Sequence, residues 1–248
     1  MLKDFTLFDI LPIIGTYMPT SKIIPKHVVL IPDGNRRWAK KHGLEAMEGH
    51  KKGLEKALEI VRKSKDVGVK VLTIWGFSTE NWKRPGTEVK YLMALYQIFL
   101  RKHITELIRE GVRFKWLGRR DRVPIALKKI LEGLEKKTKA NKSYILNICL
   151  DYGGHDEIVR VFRKLIKKKV KPSQITEDLI SKNLDTAGIP DPDLLIRTSG
   201  EMRTSGIFPW QTTYTEFYFS KLLFPDFSME ELTKAFSDYS ARQRRYGS

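Results

Sequence analysis

The stretch HVVLIPDGNRRWA, residues 27–39, decides the fold. Its first five residues form an almost wholly apolar run, which is typical of a strand covered on both faces of a sheet. Pro32 ends the run, and PDGN is a turn sequence in its own right. Arg36, Arg37 and Trp38 follow, where a helix begins. This order of strand, turn and helix predicts the first unit of a parallel α/β sheet.

Five further apolar runs have the same character. They are KVLTIWGF (70–77), VRFKWLG (112–118), YILNICLDYGG (144–154), DLLIRTSG (193–200) and EFYFS (216–220). Helical patterns alternate with them at residues 49–68, 87–111, 124–140, 156–169 and 229–245. The alternation predicts one α/β domain with a mostly parallel sheet over residues 27–248, preceded by an N-terminal segment, residues 1–26.

The composition indicates an anionic partner. The 248 residues include 46 lysines and arginines against 29 aspartates and glutamates, a formal charge of +17. Nucleic acid, an anionic membrane surface and phosphorylated small molecules are all attracted by such a charge, although tuning of surface solubility produces the same excess. The single cysteine, Cys149, excludes an internal disulfide framework and a zinc site built on cysteines.

We expect a cytoplasmic protein. Residues 1–26 carry no small-residue cleavage site of a signal peptide, and no run approaches the ~20 apolar residues of a membrane span. The N-terminal segment is amphipathic, so peripheral contact with a membrane or with a partner is a further expectation.

Polar segments follow four of the predicted strands: PDGNRRW, STENWKRP, DYGGHDE and RTSGEMRTS. In parallel sheets ligands bind beyond the carboxyl ends of the strands, which is where these segments lie. Glycines expose backbone N–H groups, serines and threonines donate hydroxyls, and arginines bind in bidentate fashion. Together they are the groups that bind phosphate.

Asp33 is unexpected among phosphate-binding groups, because an anionic ligand repels a carboxylate unless a cation lies between them. Mg²⁺ prefers one or two carboxylates together with substrate phosphates. We therefore hypothesise that Asp33 holds Mg²⁺ against a diphosphate that residues 34–37 surround. The alternative is that PDGN is only a turn.

Two other segments allow a functional and a structural interpretation. In residues 76–89, Ser78 or Thr79 can cap a helix, but capping leaves Asn81, Trp82 and Arg84 unexplained. Residues 197–205 repeat an Arg–Thr–Ser pattern, which either binds a second phosphate group or forms structural salt bridges. Glu216 follows closely and is a candidate second metal ligand.

The blocks HVVLIPDGNRRWAKKHG…GHKKG, GFSTENWKRP and IRTSGEMRTSGIFPWQTTYTEFYF resemble those of the cis-prenyltransferases, the undecaprenyl diphosphate synthases and their relatives. The resemblance covers roughly residues 27 to 247. It implies a six-stranded parallel sheet surrounded by helices, a hydrophobic product tunnel and a homodimer. The implied reaction adds isopentenyl diphosphate to an allylic diphosphate with Mg²⁺, for a long-chain carrier lipid.

The resemblance also implies roles for individual residues. Asp33 matches the aspartate linked to Mg²⁺, and Asn81 the residue that assists proton removal. Matches to the allylic diphosphate site and its flexible loop are Gly34, Asn35, Arg36, Arg37, Trp38, His50, Ser78, Thr79, Glu80, Trp82 and Arg84. Matches to the isopentenyl diphosphate pocket are Arg197, Arg203, Thr204 and Ser205. Glu216 matches a second carboxylate linked to Mg²⁺, and Arg245 with Gly247 a tail that reaches the partner subunit.

Two positions depart from the family pattern. Ala46 stands where many members have an arginine, and His155 stands where arginine is common. PDGNRRWA and the missing arginine resemble the archaeal branch, which implies geranylgeranyl diphosphate as an alternative primer to farnesyl diphosphate.

Two other functions compete with this one. A nucleic-acid-binding module fits the charge, but the sequence has no helix-turn-helix, zinc-ligand or RNP-like signature. A non-catalytic partner subunit of a cis-prenyltransferase complex is the second alternative. Such subunits typically lose the first-block aspartate and arginines, whereas this chain keeps Asp33 and Arg37.

Overall fold

The computed structural model describes residues 23–242. Its six strands are β1 (His27–Ile31), β2 (Val71–Ser78), β3 (Val112–Leu117), β4 (Tyr144–Tyr152), β5 (Leu194–Arg197) and β6 (Glu216–Phe219). They form one sheet in the order β3-β4-β2-β1-β5-β6, and all five pairs are parallel. Each predicted apolar run is a strand, so the predicted α/β fold is confirmed.

Helices alternate with the strands in the described part of the chain. They are α1 (Asn35–Lys41), α2 (Ala46–Asp66), α3 (Gly86–Arg109), α4 (Ile125–Thr138), α5 (Gly154–Lys167), α6 (Glu177–Ser181) and α7 (Met229–Ala241). Short 3₁₀ turns occupy Thr79–Lys83, Pro172–Gln174 and Phe224–Asp226. Within residues 23–242 no helix is both long enough and apolar enough to cross a bilayer.

The strands are apolar throughout because both faces of the sheet are covered. Val28 and Leu30 of β1 face a core shared with α2, α3, α4 and α7. Val29 and Ile31 face the other side, where they pack with Phe208 and Tyr152. Successive side chains of a strand point to opposite faces, so a strand buried on both sides has no polar alternation.

The strand order places a crevice at the carboxyl end of β1. The chain leaves β1 towards β2 on one side, and β5 lies on the other side. In doubly wound sheets this reversal of direction leaves space between the loops, and ligands bind there. The loop after β1, which contains Asp33, therefore lies at the position that the topology favours for a ligand.

Two glycines allow α1 to approach α2 closely. A Cβ atom added to Gly49 would lie 2.1 Å from the Asn35 carbonyl oxygen, and one added to Gly53 would lie 2.3 Å from Asn35 Oδ1. Both glycines face α1 because they are four residues apart on α2. The segment GHKKG therefore brings the start of α1 against α2.

A buried polar ladder crosses three strands at the other end of the sheet. Asn147 donates to Thr73 Oγ1, Thr73 donates to His27 Nε2, and His27 Nδ1 donates to the Pro190 carbonyl. Burial, which disfavours the charged ring, lowers the pKa of His27 to about 4. His27 is thus neutral at pH 7 and belongs to the sheet rather than to the crevice.

Candidate active site

Asp33 lies between two arginines. Arg197, at the end of β5, donates from Nη2 to Asp33 Oδ2 at 2.8 Å, and Arg37 Nη2 lies 3.5 Å from Oδ1. Two further groups hold the backbone carbonyl of Asp33: the Thr198 hydroxyl at 2.6 Å and the Phe224 N–H at 3.0 Å. The carboxylate is thus fixed at the meeting point of the loops after β1 and β5.

Asp33 is ionised at neutral pH. Partial burial by itself would raise the pKa of its carboxyl group, but several groups oppose this effect. The Arg197 hydrogen bond and charge, the Arg37 charge and the Gly34 N–H hold the pKa below its usual value. The site therefore offers a permanent negative charge in positive surroundings, as a bound cation requires.

The turn after Asp33 depends on Gly34. Its φ is +106°, and a Cβ there would lie 2.9 Å from Leu223 Cδ2 and 3.0 Å from Ser199 Cβ. Only glycine adopts this backbone conformation without strain. The turn directs Arg37 across to Ser199, whose Oγ it contacts at 2.5 Å, and to Glu201, 3.3 Å away.

A basic cavity of about 560 Å³ opens beside this turn. Four cationic side chains line it, together with His50, Ala46 and Asp33; they are Arg36, Arg37, Lys40 and Arg84. Ala46 leaves its own part of the wall uncharged, while Arg36, 58% exposed at the side chain, reaches the same space. The cavity thus has the charge to bind an anion of two or more charges.

Glu88 organises the cations on one wall of this cavity. Arg84 donates to Glu88 at 3.1 Å, and Arg36 and His50 each lie 3.8 Å from its carboxylate. Burial and the charges of Arg84 and Arg36 outweigh Glu88 and lower the pKa of His50 to about 4. His50 is therefore a neutral hydrogen-bonding group at pH 7.

A central cavity of about 260 Å³ adjoins the basic cavity and shares Asp33, Asn35, His50 and Arg84 with it. Ser78, Asn81, Arg197 and Ser205 also line it. Three residues that line it each carry a buried side-chain atom without a hydrogen-bond partner among the described residues: Asn35 Oδ1, His50 Nε2 and Arg197 Nε. The side chains of Ser78, Asn81, Arg197 and Ser205 give this cavity groups that can form hydrogen bonds with a polar ligand.

Residues 78–83 form a capped turn above the central cavity. Asn81 Oδ1 accepts from the Ser78 N–H at 3.0 Å, which completes a capping box. The cap that the sequence suggested is therefore present. It also fixes the Asn81 amide at the wall of the cavity. Thr79 donates to Glu80 at 2.8 Å on the outer side of this turn.

The loop after β5 wraps around Arg197. Arg197 Nη1 donates to the Arg203 carbonyl at 2.5 Å and to Ser205 Oγ at 2.8 Å. The Arg203 guanidinium is itself exposed and pairs with Glu201. Of the two arginines in the repeated pattern, the first is buried in the site and the second stands at its rim.

An apolar cavity of about 90 Å³ continues from the central cavity between α2, α3 and the sheet. Leu54, Ala57, Ile74, Gly76 and Tyr96 line both spaces. The Tyr96 hydroxyl donates to the Gly76 carbonyl at 2.6 Å, so its ring stands at the junction. Beyond it the walls are aliphatic and aromatic side chains of α2, α3, β3 and β4, with His103.

Several predicted site residues lie elsewhere. Among the described residues, seven line neither the central nor the basic cavity: Trp38, Thr79, Glu80, Trp82, Arg203, Thr204 and Glu216. Trp38 donates to Asp226 at 2.7 Å, and Trp82 donates to Asp151 at 2.8 Å. Arg245 and Gly247 lie outside the described residues, and His155 is an exposed residue at the start of α5.

Glu216 is not brought beside Asp33 within the described chain. It pairs in register with Leu194, which itself pairs with Val28 at the amino end of β1. The opposite end of β1, at Ile31, lies roughly 10 Å further along the strand, and Asp33 follows beyond it. Glu216 instead forms an ion pair of 2.6 Å with Arg242. Nearness in sequence to residues 197–205 was misleading, because the chain returns to the other end of the sheet before β6.

A magnesium ion would rely on Asp33. Among residues 23–242 no group of three or more His, Cys, Asp or Glu side chains converges as a metal site. A single carboxylate is nevertheless adequate for Mg²⁺ when substrate phosphates supply further oxygens. The ionised Asp33 carboxylate at the wall of both cavities fits such a shared site.

The sequence interpretation missed several residues that shape the site. Glu88 was given no role, although its spacing of four from Arg84 is a signal for an ion pair. Ser199 and Glu201 lay inside a quoted segment without an assigned role. Nothing in the sequence pattern indicates that Arg122 and Asp151 would meet below Trp82.

Comparison with known proteins agrees with this geometry. The family model described as putative undecaprenyl diphosphate synthase matches residues 31–247. An isoprenyl transferase of Aquifex pyrophilus is 46% identical over 224 residues, which are 90% of this chain and 96% of that protein. One from Streptococcus agalactiae serotype V is 44% identical over 239 residues, or 93% of this chain and 95% of that protein.

A solved structure extends the likeness to three dimensions. The crystal structure of lavandulyl diphosphate synthase from Lavandula x intermedia, in complex with dimethylallyl diphosphate, has a TM-score of 0.87 and 37% sequence identity. The match covers 91% of this chain and 99% of the plant chain. Fold and site thus define a prenyltransferase enzyme. The chain belongs to the undecaprenyl diphosphate synthase family, the cis-prenyltransferases.

Proposed function

We propose that this prenyltransferase condenses isopentenyl diphosphate units onto an allylic diphosphate primer and so makes a polyprenyl diphosphate, the precursor of a glycosyl-carrier lipid. The observation that carries the proposal is the joining of three spaces at Asp33 and Tyr96: a basic cavity, a polar cavity and an apolar cavity. Two diphosphates and one growing hydrocarbon chain need these three environments.

The basic cavity suits the allylic diphosphate. Arg36, Arg37, Arg84 and the N–H groups at the start of α1 offer donors to its phosphate oxygens. When the carbon–oxygen bond of the primer breaks, negative charge develops on the leaving diphosphate. Fixed guanidinium groups stabilise that charge without reorganisation. Mg²⁺, held by Asp33, supplies further neutralisation of the same charge when it is bound.

The loop around Arg197 suits isopentenyl diphosphate. Arg197, Arg203 and Ser205 belong to one loop, and Arg197 also fixes Asp33. The isopentenyl alkene attacks the allylic carbon with its π electrons, forming the new carbon–carbon bond as the diphosphate leaves. The departing diphosphate then accepts a proton from the carbon next to the cationic centre, which completes the new double bond. The Asn81 amide, fixed at the cavity wall, is our candidate for assisting that proton transfer.

The apolar cavity suits the prenyl chain and is the start of the proposed product tunnel. Its walls carry few polar atoms, so a hydrocarbon entering it leaves water at a gain of about 25 cal/mol per Å² of apolar surface. The length of the product and the choice between farnesyl and geranylgeranyl primers stay predictions. The archaeal-type assignment is also still a prediction; the two similar isoprenyl transferases, from Aquifex pyrophilus and Streptococcus agalactiae, are bacterial.

Assembly and location also stay predictions. We propose a homodimer, in which Glu216 and the tail residues Arg245 and Gly247 act across the subunit interface rather than beside Asp33 of their own chain. A cytoplasmic enzyme whose N-terminal segment touches the membrane would hand its product directly to the lipid phase.

The test combines purified protein, Mg²⁺ and labelled isopentenyl diphosphate with geranyl, farnesyl or geranylgeranyl diphosphate in separate reactions. We expect elongated products that disappear with EDTA. Asp33→Asn should lower turnover by on the order of 10³-fold, because removal of one group that stabilises transition-state charge typically costs 10²–10³. Asp178→Asn, an exposed carboxylate on α6, is the matched control and should be unchanged.

Absence of product with every primer, from folded protein, would contradict the proposal. It would favour the non-catalytic subunit, whose partner would then restore turnover. If Asp33→Asn keeps near-normal turnover, Asp33 has no role in the reaction, and the other parts of the proposal are unaffected.

A further inference from the structure

Asp151 combines three features that cost stability. It is fully buried, its φ of 55° lies in the left-handed region, and its carboxylate is paired with Arg122. A non-glycine residue in a sparsely populated conformation carries strain, and a buried ion pair seldom repays its desolvation. Such costs tend to persist near functional sites, and Asp151 lies directly behind the turn at residues 78–83.

A β-bulge directs the Asp151 side chain. Along the β2–β4 pair, Phe77 is opposite Leu150 and Ser78 is opposite Tyr152, so Asp151 is an extra residue in β4. Bulges turn a side chain away from its regular direction and are frequent next to active sites. As a result, the Asp151 carboxylate contacts Trp82 in the turn at residues 78–83 instead of a residue of a neighbouring strand.

Asp151 and Arg122 both contact the Trp82 side chain, and they also bind each other. Trp82 Nε1 donates to Asp151 Oδ1 at 2.8 Å, and Arg122 binds the same carboxylate in bidentate fashion, through Nε at 2.9 Å and through Nη2. The Arg122 guanidinium carbon lies 5.5 Å from the centre of the Trp82 ring, and Phe77 packs edge-on against that ring at 5.2 Å. The indole is therefore held by a hydrogen bond at Nε1 and by contacts with Arg122 and Phe77.

We propose that Asp151 and Arg122 are positioning residues that hold the 78–83 turn in its working geometry through Trp82. Ser78 and Asn81 face the central cavity from one side of this turn, while Trp82 leaves from the other side. Gly153 allows the turn to pack closely against the end of β4, since a Cβ there would lie 2.2 Å from Thr79 Oγ1. Through these contacts, the hydrogen-bonded backbone of β4 restricts the movement of Ser78 and Asn81 at the cavity wall.

The chain contains a matched control cluster away from the cavities. Trp116 Nε1 donates to the Leu150 carbonyl at 2.9 Å, and Arg120 lies 4.6 Å from the Trp116 ring centre while it binds Glu135. This cluster also joins an indole, a guanidinium and a carboxylate to β4 and its neighbour. Trp116 and Arg120 line none of the three cavities.

The first test measures amide hydrogen exchange in Trp82→Phe and Trp116→Phe, with the wild type as reference. Loss of a hydrogen bond to a charged group is worth about 1.5–3 kcal/mol. We therefore expect exchange of residues 78–84 to rise on the order of ten-fold or more in Trp82→Phe, and to stay at the wild-type rate in Trp116→Phe. Equal exchange of residues 78–84 in both variants would overturn the proposal.

Arg122→Gln is the second variant, and Arg120→Gln is its control. Arg122→Gln leaves the Trp82 ring in place but removes the cation paired with the buried Asp151 carboxylate, so thermal unfolding of this variant is measured first to establish that it folds. Faster exchange of residues 78–84 is again expected, in Arg122→Gln and not in Arg120→Gln. If residues 78–84 exchange at the same rate in both variants, Arg122 does not help to hold the turn.

Kinetics form the second test and rest on the proposed function. In Trp82→Phe, kcat for isopentenyl diphosphate incorporation should fall about ten-fold or more, while KM for isopentenyl diphosphate, bound at the Arg197 loop, changes less than three-fold. A kcat equal to that of Trp116→Phe would overturn the proposal. If the wild type elongates no primer, the proposed function fails. Hydrogen exchange would still test whether Asp151 and Arg122 hold the turn through Trp82.

Discussion

Gly49→Ala should misplace α1 and so impair turnover. The added Cβ would lie 2.1 Å from the carbonyl oxygen of Asn35 and 2.9 Å from its carbonyl carbon. Ordinary van der Waals contact begins near 3.4 Å, so the start of α1 must retreat by roughly 1 Å in a close-packed interior. Because the obstacle is backbone, no side-chain rotation relieves it. Arg36 and Arg37, the next residues of α1, move with it.

The magnitudes follow from packing and from catalysis separately. Overpacking costs about 1–3 kcal/mol, and the better helix propensity of alanine returns at most about 1 kcal/mol. The melting temperature should therefore fall modestly. A misplacement of about 1 Å in groups that bind the reacting substrate costs on the order of 10²-fold in rate. A 10²-fold loss of rate equals about 2.7 kcal/mol in activation free energy, so turnover should fall about 100-fold in a protein that still folds.

The assay compares Gly49→Ala with Gly133→Ala. Gly133 is also inside a helix, but a Cβ there would meet nothing within 4 Å. We expect Gly133→Ala to keep normal turnover and gain up to about 1 kcal/mol in the free energy of unfolding. The reasoning about close approach would be refuted if Gly49→Ala matched Gly133→Ala in both thermal unfolding and labelled isopentenyl diphosphate incorporation.

Two further predictions concern the rim of the site and the sheet. Arg203→Ala should raise KM for isopentenyl diphosphate far more than KM for the primer, because its loop surrounds Arg197; steady-state kinetics showing equal increases would mean that the two sites are assigned wrongly. Lowering the pH should destabilise the fold as His27 is protonated. Its pKa is about 4 when folded against 6.5 for the free side chain, so the stabilisation is complete above pH 6.5 and declines as pH falls towards 4. The loss approaches about 3 kcal/mol. Urea midpoints between pH 7 and 4 should fall less steeply for His27→Gln than for the wild type or His155→Gln, and identical slopes would exclude His27 as the cause.

Much of the fold was predictable because its signals are local. Six apolar runs became six parallel strands, since strands buried on both faces need apolar residues throughout. The clustering of Asp33, Ser78, Asn81 and Arg197 was also predictable, because carboxyl ends of parallel strands meet at one edge. Strand ends were less predictable: the run to Gly200 stops at Arg197, as Ser199 and Gly200 both have φ of 76°.

The parts that the sequence alone did not determine depend on contacts between distant segments. The hydrogen bond between Asp33 and Arg197 joins residues 164 positions apart. The contacts around Trp82 join three segments of the chain and depend on one extra residue in β4. Glu216 shows the reverse case, because a residue near the site in sequence starts the next strand at the far end of the sheet. Amino-acid patterns thus specify which segments are strands and which residues are candidates for binding phosphate. Strand order, register and bulges decide which of those residues meet, because each depends on packing and hydrogen bonds that exist only when the whole sheet has formed.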